Sequence, residues 1–190
     1  MKLLNVLNDI KSCKVCESEL SHGVNPVLSV SRKSKILIIG QAPGLLVHQS
    51  GKPWDDKSGE RLREWLGVTK DEFYDPNLFG ILPMGFCYPG KGKSGDLPPR
   101  KECAPLWHQS VLDELPNVEL SLLIGQYAQN YYLSTGKSTL TERVRNFENF
   151  LPRFFPLPHP SPRNNIWLKR NTWFGEAVLP SLKMIVRNIF

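Results

Sequence analysis

A chain of 190 residues, 41% hydrophobic and 22% charged, has the size and mix of one soluble globular domain with a sizeable core, here expected to run over residues 1–190. Its formal net charge of +6 fits a polyanionic partner such as nucleic acid, and solubility alone would account for it as well. No apolar run reaches the roughly 18 residues of a membrane span, so no membrane partner is expected, and charges in MKLLNVLNDIKSC interrupt the continuous apolar core that a secretory signal needs. A cytoplasmic location is therefore expected, where four cysteines are poor candidates for structural disulfides.

In chain order, Leu3, Leu4, Val6, Leu7 and Ile10 recur at near-helical spacing and predict a short N-terminal helix over residues 3–12. Cys13-Lys-Val-Cys16 follows, then a loop over residues 17–34 with Gly23, Pro26 and several serines. Lys35–Ile39 is a continuous apolar run of the kind that forms a strand buried on both faces of a parallel sheet. A turn with Gly40, Pro43 and Gly44 and a polar loop come next, and Ser58 is the expected cap of a helix through Arg61, Leu62, Trp65 and Leu66. Phe79–Met84 predicts a second strand, with Pro83 placed at its end.

Residues 86–103 then form a long loop rich in Pro and Gly, of a length that is usually functional or tied down. Ala104–Leu115 predicts a helix, Glu119–Ile124 a third strand, Gly125 a turn, residues 126–133 a helix and Phe154–Leu157 a fourth strand. Trp173–Arg187 has helical spacing interrupted by Pro180. Strands alternating with helices predict an α/β domain with a parallel sheet covered on both faces.

Three features carry chemistry. Cys13-x2-Cys16 and Cys87-x15-Cys103 can assemble a four-thiolate site that zinc or an iron–sulfur cluster would satisfy, clamping the N-terminal helix to the long loop; four separate buried thiols are the plainer alternative. The second is the loop after the first strand, at the strand's carboxyl end, where open α/β sheets bind ligands. Backbone N–H groups around Ala42 and Gly44 can cradle an anion or a carbonyl, and Gln41, His48, Asp55 and Asp56 are candidate polar partners. Trp54 can stack on a planar ligand or pack beside Trp65 in the core.

The third is Leu157–Trp167. His159 stands between Pro158 and Pro160, which restrict the backbone and fix the direction of an imidazole able to donate a hydrogen bond to a developing anion. Ser161 can bond a phosphate, with Arg163, Lys169 and Arg170 adding positive charge, and Asn164, Asn165 and Trp167 interleave polar and aromatic groups as a DNA-facing loop would.

These residues resemble the uracil-DNA glycosylase superfamily, and most of all its iron–sulfur branch, the family 4 enzymes, over nearly the whole chain. Gly40-Gln-Ala-Pro-Gly44, with Gly51-Lys-Pro-Trp54 and Ser58-Gly59 downstream, is similar to the family's first motif, His159-Pro-Ser-Pro162 resembles its second, and the two cysteine pairs are similar to the cluster ligands of family 4. The resemblance implies a three-layer α/β/α sandwich with a four-stranded parallel sheet, a 4Fe–4S cluster on Cys13, Cys16, Cys87 and Cys103 (zinc being the alternative), and a monomer that flips a base out of DNA and hydrolyses its N-glycosidic bond. It implies catalytic roles for Gln41 and His159, substrate contacts from Gly40, Ala42, Pro43, Gly44, His48, Trp54 and Asp55, and DNA contacts from Ser161, Arg163 and Asn164.

Three departures stand out. Gln41 occupies the place of the family's Glu, Val47 and His48 that of its acidic pair, and Pro83 that of the Asn four residues before the third cysteine. An amide cannot act as a general base at neutral pH. Either His48, Asp55 or Asp56 substitutes, or bond cleavage relies on leaving-group stabilisation by His159. The alternatives in function are a non-catalytic or specificity-shifted nucleic-acid-binding protein on the same scaffold, or an α/β enzyme acting on free nucleosides or nucleotides.

Overall fold

The computed structural model describes residues 2–93, 95–133 and 136–190. Four parallel strands, β1 (Ile36–Ile39), β2 (Phe79–Ile81), β5 (Leu120–Ile124) and β6 (Phe154–Leu157), form one sheet in the order β2-β1-β5-β6. β1 and β5 are central and buried at every position, because helices cover both faces. Alternate side chains divide the core accordingly. Ile36, Ile38, Leu122 and Ile124 pack under α3 (Lys57–Leu66) and α9 (Leu179–Ile189), whereas Leu37, Ile39 and Leu123 pack under α1 (Lys2–Lys11) and α5 (Cys103–Leu112). The result is a three-layer α/β/α sandwich with its apolar stripes turned inward, for example Leu62, Trp65 and Leu66 of α3.

From β1 the chain moves outward to β2, then returns to β5 on the other side and moves outward again to β6. The carboxyl ends of β1 and β5 thus flank a topological switch point, the place where an open α/β sheet leaves a crevice. The segments that follow β1, β5 and β6 all converge there. Pro156 is tolerated in β6 because β6 is an edge strand, and Pro180 lies in the first turn of α9, where a missing N–H costs no helical bond. A π-helical turn at Phe174–Val178 precedes α9, so the predicted interruption is a helix start.

Several boundaries differ from expectation. α3 begins at Lys57 and is capped by Asp56, whose carboxylate accepts the Gly59 N–H at 2.8 Å; Ser58 faces the crevice instead. β2 ends at Ile81, before Pro83. The long loop contains a small antiparallel hairpin, β3 (Lys91–Gly92) and β4 (Gly95–Asp96). Four short helices have no apolar periodicity long enough to read: α2 (Leu45–Ser50), α4 (Lys70–Tyr74), α7 (Leu140–Arg145) and α8 (Asn165–Arg170). The remaining helix, α6 (Gln126–Tyr132), lies close to its expected span. Among the described residues, no helix is long and apolar enough to cross a membrane.

Candidate active site

A cavity of about 420 Å³ opens at the switch point, within the range of small-ligand pockets. Gly40–Gly44 form one wall, Trp54, Asp56 and Ser58 a second, Val27, Ile81 and Pro83 a third, and Asp96, His159, Ser161, Arg163 and Asn164 close the rim. Trp54 enters because two glycines make room. A side chain on Gly40 would press on the indole at 2.9 Å, and one on Gly59 would overlap the Trp54 carbonyl. Trp54 itself has φ 56°, a left-handed backbone conformation that a bulky residue rarely adopts, and its carbonyl is held by Arg63 at 3.3 Å. The indole lies 5.6 Å from the His159 ring, centre to centre, tilted by 31°.

The geometry fixes the state of His159. Its Nδ1 accepts the Ser161 backbone N–H at 3.2 Å, so in the neutral ring the proton sits on Nε2. Burial lowers the His159 pKa below its ordinary value, against the opposing charges of Asp56 and Asp96, and keeps the ring neutral. The loop carrying it is tied down twice: the Asn164 side chain donates to the His159 carbonyl at 2.7 Å, and Arg61 of α3 donates to the Ser161 carbonyl at 3.3 Å and to Asn165 at 2.9 Å. The Asn164 amide is therefore spent on the loop, although the residue still lines the rim. Gly125, with φ 83°, lies beneath this loop, where a side chain would stand 3.8 Å from His159 Cβ.

The other expected polar residues divide. Gln41 lines the cavity and donates from Nε2 to the Leu97 carbonyl at 3.1 Å. Asp56 lines it while capping α3. His48 and Asp55, expected at the ligand, lie outside it. His48 is buried on the far side of α2, donating from Nε2 to the His22 carbonyl at 3.2 Å and accepting the Tyr88 N–H at 3.5 Å, so both ring nitrogens serve the fold. Asp55 is exposed at the start of the turn into α3. Of the cations expected beside the second loop, Arg163 reaches the rim, with its guanidinium packed against Gly95 where a side chain would otherwise sit, whereas Lys169 and Arg170 lie exposed at the end of α8.

One charged cavity residue was not expected. Asp96, at the end of the hairpin, brings a second carboxylate to the rim. The only signal for it was an acidic residue inside a long Pro- and Gly-rich loop. A model of the uracil DNA glycosylase superfamily matches residues 29–183, which take in all four strands and every cavity residue except Val27. The chain belongs to this superfamily.

The uracil DNA glycosylase match begins after Cys13 and Cys16, so the thiols are judged on their own geometry. All four cysteines are free and half-buried, and they line one apolar cavity with Ile10, Leu20, Phe86 and Trp107. Polar groups stand beside the sulfurs: the Phe86 N–H meets Cys103 Sγ at 3.4 Å, and the Asn25 backbone and the Arg100 guanidinium favour the thiolates of Cys87 and Cys16 against the burial that raises them. The Trp107 Nε1–H is buried there without a partner. Burial pushes Cys87 up to about 11 and Cys103 up to about 12. Among the described residues, no three His, Cys, Asp or Glu side chains converge on a single metal-ion position.

Between the two cavities stands His108. It donates from Nε2 to the carbonyl of the pocket residue Pro83 at 3.1 Å, and Nδ1 accepts from the Tyr132 hydroxyl at 2.5 Å. Burial lowers its pKa to about 4. The folded state therefore resists protonation. The stability this residue contributes is complete above its ordinary value near 6.5 and is lost as pH falls toward 4, by up to about 3 kcal/mol. In urea titrations the wild type is expected to lose that stability between pH 6.5 and 4 relative to H108Q, which keeps a donor for Pro83 and cannot titrate. Parallel pH dependences would contradict this.

Proposed function

We propose that the chain is a monofunctional DNA glycosylase that hydrolyses the N-glycosidic bond of uracil or another deaminated base flipped out of DNA. One observation carries the reading: a neutral imidazole with its proton fixed on Nε2, set in a cavity with an aromatic face and a backbone cradle. As the bond between C1′ and the base nitrogen breaks, its electron pair leaves on the base and negative charge gathers on a base carbonyl oxygen. His159 Nε2–H donates to that oxygen, and the hydrogen bond strengthens as charge develops. Trp54 offers a face for the base, and the Ala42–Gly44 backbone offers N–H donors to it.

Flipping is required because the scissile bond is out of reach inside the stack. The rim suits the duplex. Ser161 and Arg163 stand beside the cavity and Lys91 lies on the exposed hairpin, where they can meet phosphates. Pro83 leaves no amide on the third wall to read a base edge, so selection rests on the cavity's shape and on Gln41, which favours a tolerant choice among deaminated bases.

We assign a 4Fe–4S cluster to Cys13, Cys16, Cys87 and Cys103. Thiols set around a cavity, with sulfur-directed N–H groups beside them, suit a cluster of several atoms better than one zinc ion. When bound, the cluster supplies cross-linking, joining the end of α1, the start of α5 and the long loop that carries Asp96. The same reading has the protein working as a monomer in the cytoplasm, where thiols stay reduced.

The test is single-turnover incubation with uracil-, hypoxanthine- and xanthine-containing oligonucleotides, followed by alkali. At least one should be cut at the modified position. Tight, salt-dependent duplex binding with no cut in any of them would favour the non-catalytic reading.

A further inference from the structure

We propose that Asp96 activates the hydrolytic water and that Gln41 acts as the positioning residue that sets Asp96 in place. This rests on the glycosylase reading above. Two carboxylates reach the cavity among the described residues, and they are not equivalent. Asp56 holds the Gly59 N–H at 2.8 Å as the cap of α3, so its Oδ1 is committed to the helix. Among the described residues, Asp96 takes only a long contact from the Tyr88 hydroxyl, 3.4 Å at Oδ1. Its Oδ2 faces the first loop, 3.7 Å from where a side chain on Gly44 would begin. A carboxylate with one open oxygen, directed at a backbone cradle inside the cavity, can take a proton from water held between the two.

The hairpin that carries Asp96 is fixed from three sides. The Leu97 N–H donates to the Gly90 carbonyl at 2.8 Å, Gln41 donates to the Leu97 carbonyl at 3.1 Å, and Arg163 packs against Gly95. Gln41 thus grips the residue next to Asp96. A Glu at position 41 would present a carboxylate to that carbonyl and to Asp96, so the amide at 41 and the acid at 96 form a matched pair. The charged and titratable groups facing Asp96 are Tyr88, Lys91 across the hairpin, and His159, with Asp56 and Arg163 on the cavity wall.

In the step, a water proton passes to the Asp96 carboxylate as the water oxygen bonds to C1′. The bond from C1′ to the base nitrogen breaks, and its electron pair leaves on the base while His159 Nε2–H holds the carbonyl oxygen. The base anion takes a proton from solvent, and the Asp96 carboxyl returns its proton to solvent.

The experiment compares wild type, D96N and Q41A in single-turnover excision across pH, with duplex affinity and thermal midpoint measured alongside. General-base removal should slow D96N by about a hundredfold or more and change the acidic limb of the pH profile, leaving only the loss that His159 protonation causes, with affinity and midpoint near wild type. Q41A should be slower than wild type but keep that limb, because Asp96 is displaced rather than lost. If D96N cuts within about threefold of wild type with the same profile, Asp96 is not the base and the glycosylase reading survives. If wild type cuts nothing, both readings fall. If D96N does not fold, D96S replaces it, and a rate within about threefold of wild type with the same pH profile would overturn the assignment.

Discussion

H159A is expected to slow base release by about a hundred- to a thousandfold, roughly 3–4 kcal/mol of transition-state stabilisation, while duplex affinity changes little. The size follows from what the ring does. It is half-buried, neutral, and fixed with its N–H toward the cavity by the Ser161 N–H on its other nitrogen. A donor placed this way needs no reorganisation when charge appears on the base. The loss should fall on the rate at saturating enzyme rather than on binding, because the interaction matures only as the bond breaks. The pH dependence has a definite sign. Burial holds the His159 pKa down, so the neutral donor is present throughout the neutral range, and it is lost only as acid adds a proton at Nδ1 and displaces Ser161. A single-turnover rate for H159A within about threefold of wild type would remove the histidine from the mechanism.

C87S is expected to cost the protein its cluster and about 2–4 kcal/mol of stability, the order of a lost long-range cross-link, and to lower the thermal midpoint by roughly 4–16 °C. Serine supplies no soft thiolate, and Cys87 stands where the long loop meets the Cys13–Cys16 segment. The wild type purified without oxygen should be brown and the variant pale. Segment 86–103 should be cut faster by protease in the variant, and duplex binding should fall more than the rate at saturation, because that segment carries the hairpin on the rim. Equal proteolysis and equal midpoints would show that the cysteines clamp nothing. Colourless wild type carrying one zinc per chain would replace the cluster with the metal ion.

Much of this architecture was legible in the sequence because its signals are local. ILII can be satisfied only by burial on both faces, and it proved to be the central strand β1. Gly40, Pro43 and His159 announced their loops through backbone chemistry, and the crevice lies where those loops meet. What stayed hidden depends on partners distant in sequence. His48 looked like a ligand residue because it follows the first motif, but a helical turn points it away to the His22 carbonyl. Asp56 rather than Ser58 caps α3, a competition between neighbouring capping residues that composition cannot decide. Asp96 had no signal of its own, because its place is set by a two-residue hairpin and by Gln41, which lies 55 positions earlier. The same contact explains how a chain can carry Gln41 without losing acid from its cavity.

The most direct measurement is the product itself. Wild-type protein is mixed in excess with a duplex containing uracil, hypoxanthine or xanthine, and the supernatant is assayed for free base while the DNA is assayed for abasic sites. The account predicts, for at least one of these bases, release of the free base with one alkali-labile abasic site per base and no strand break before alkali. Bound duplex with every base still attached would contradict it.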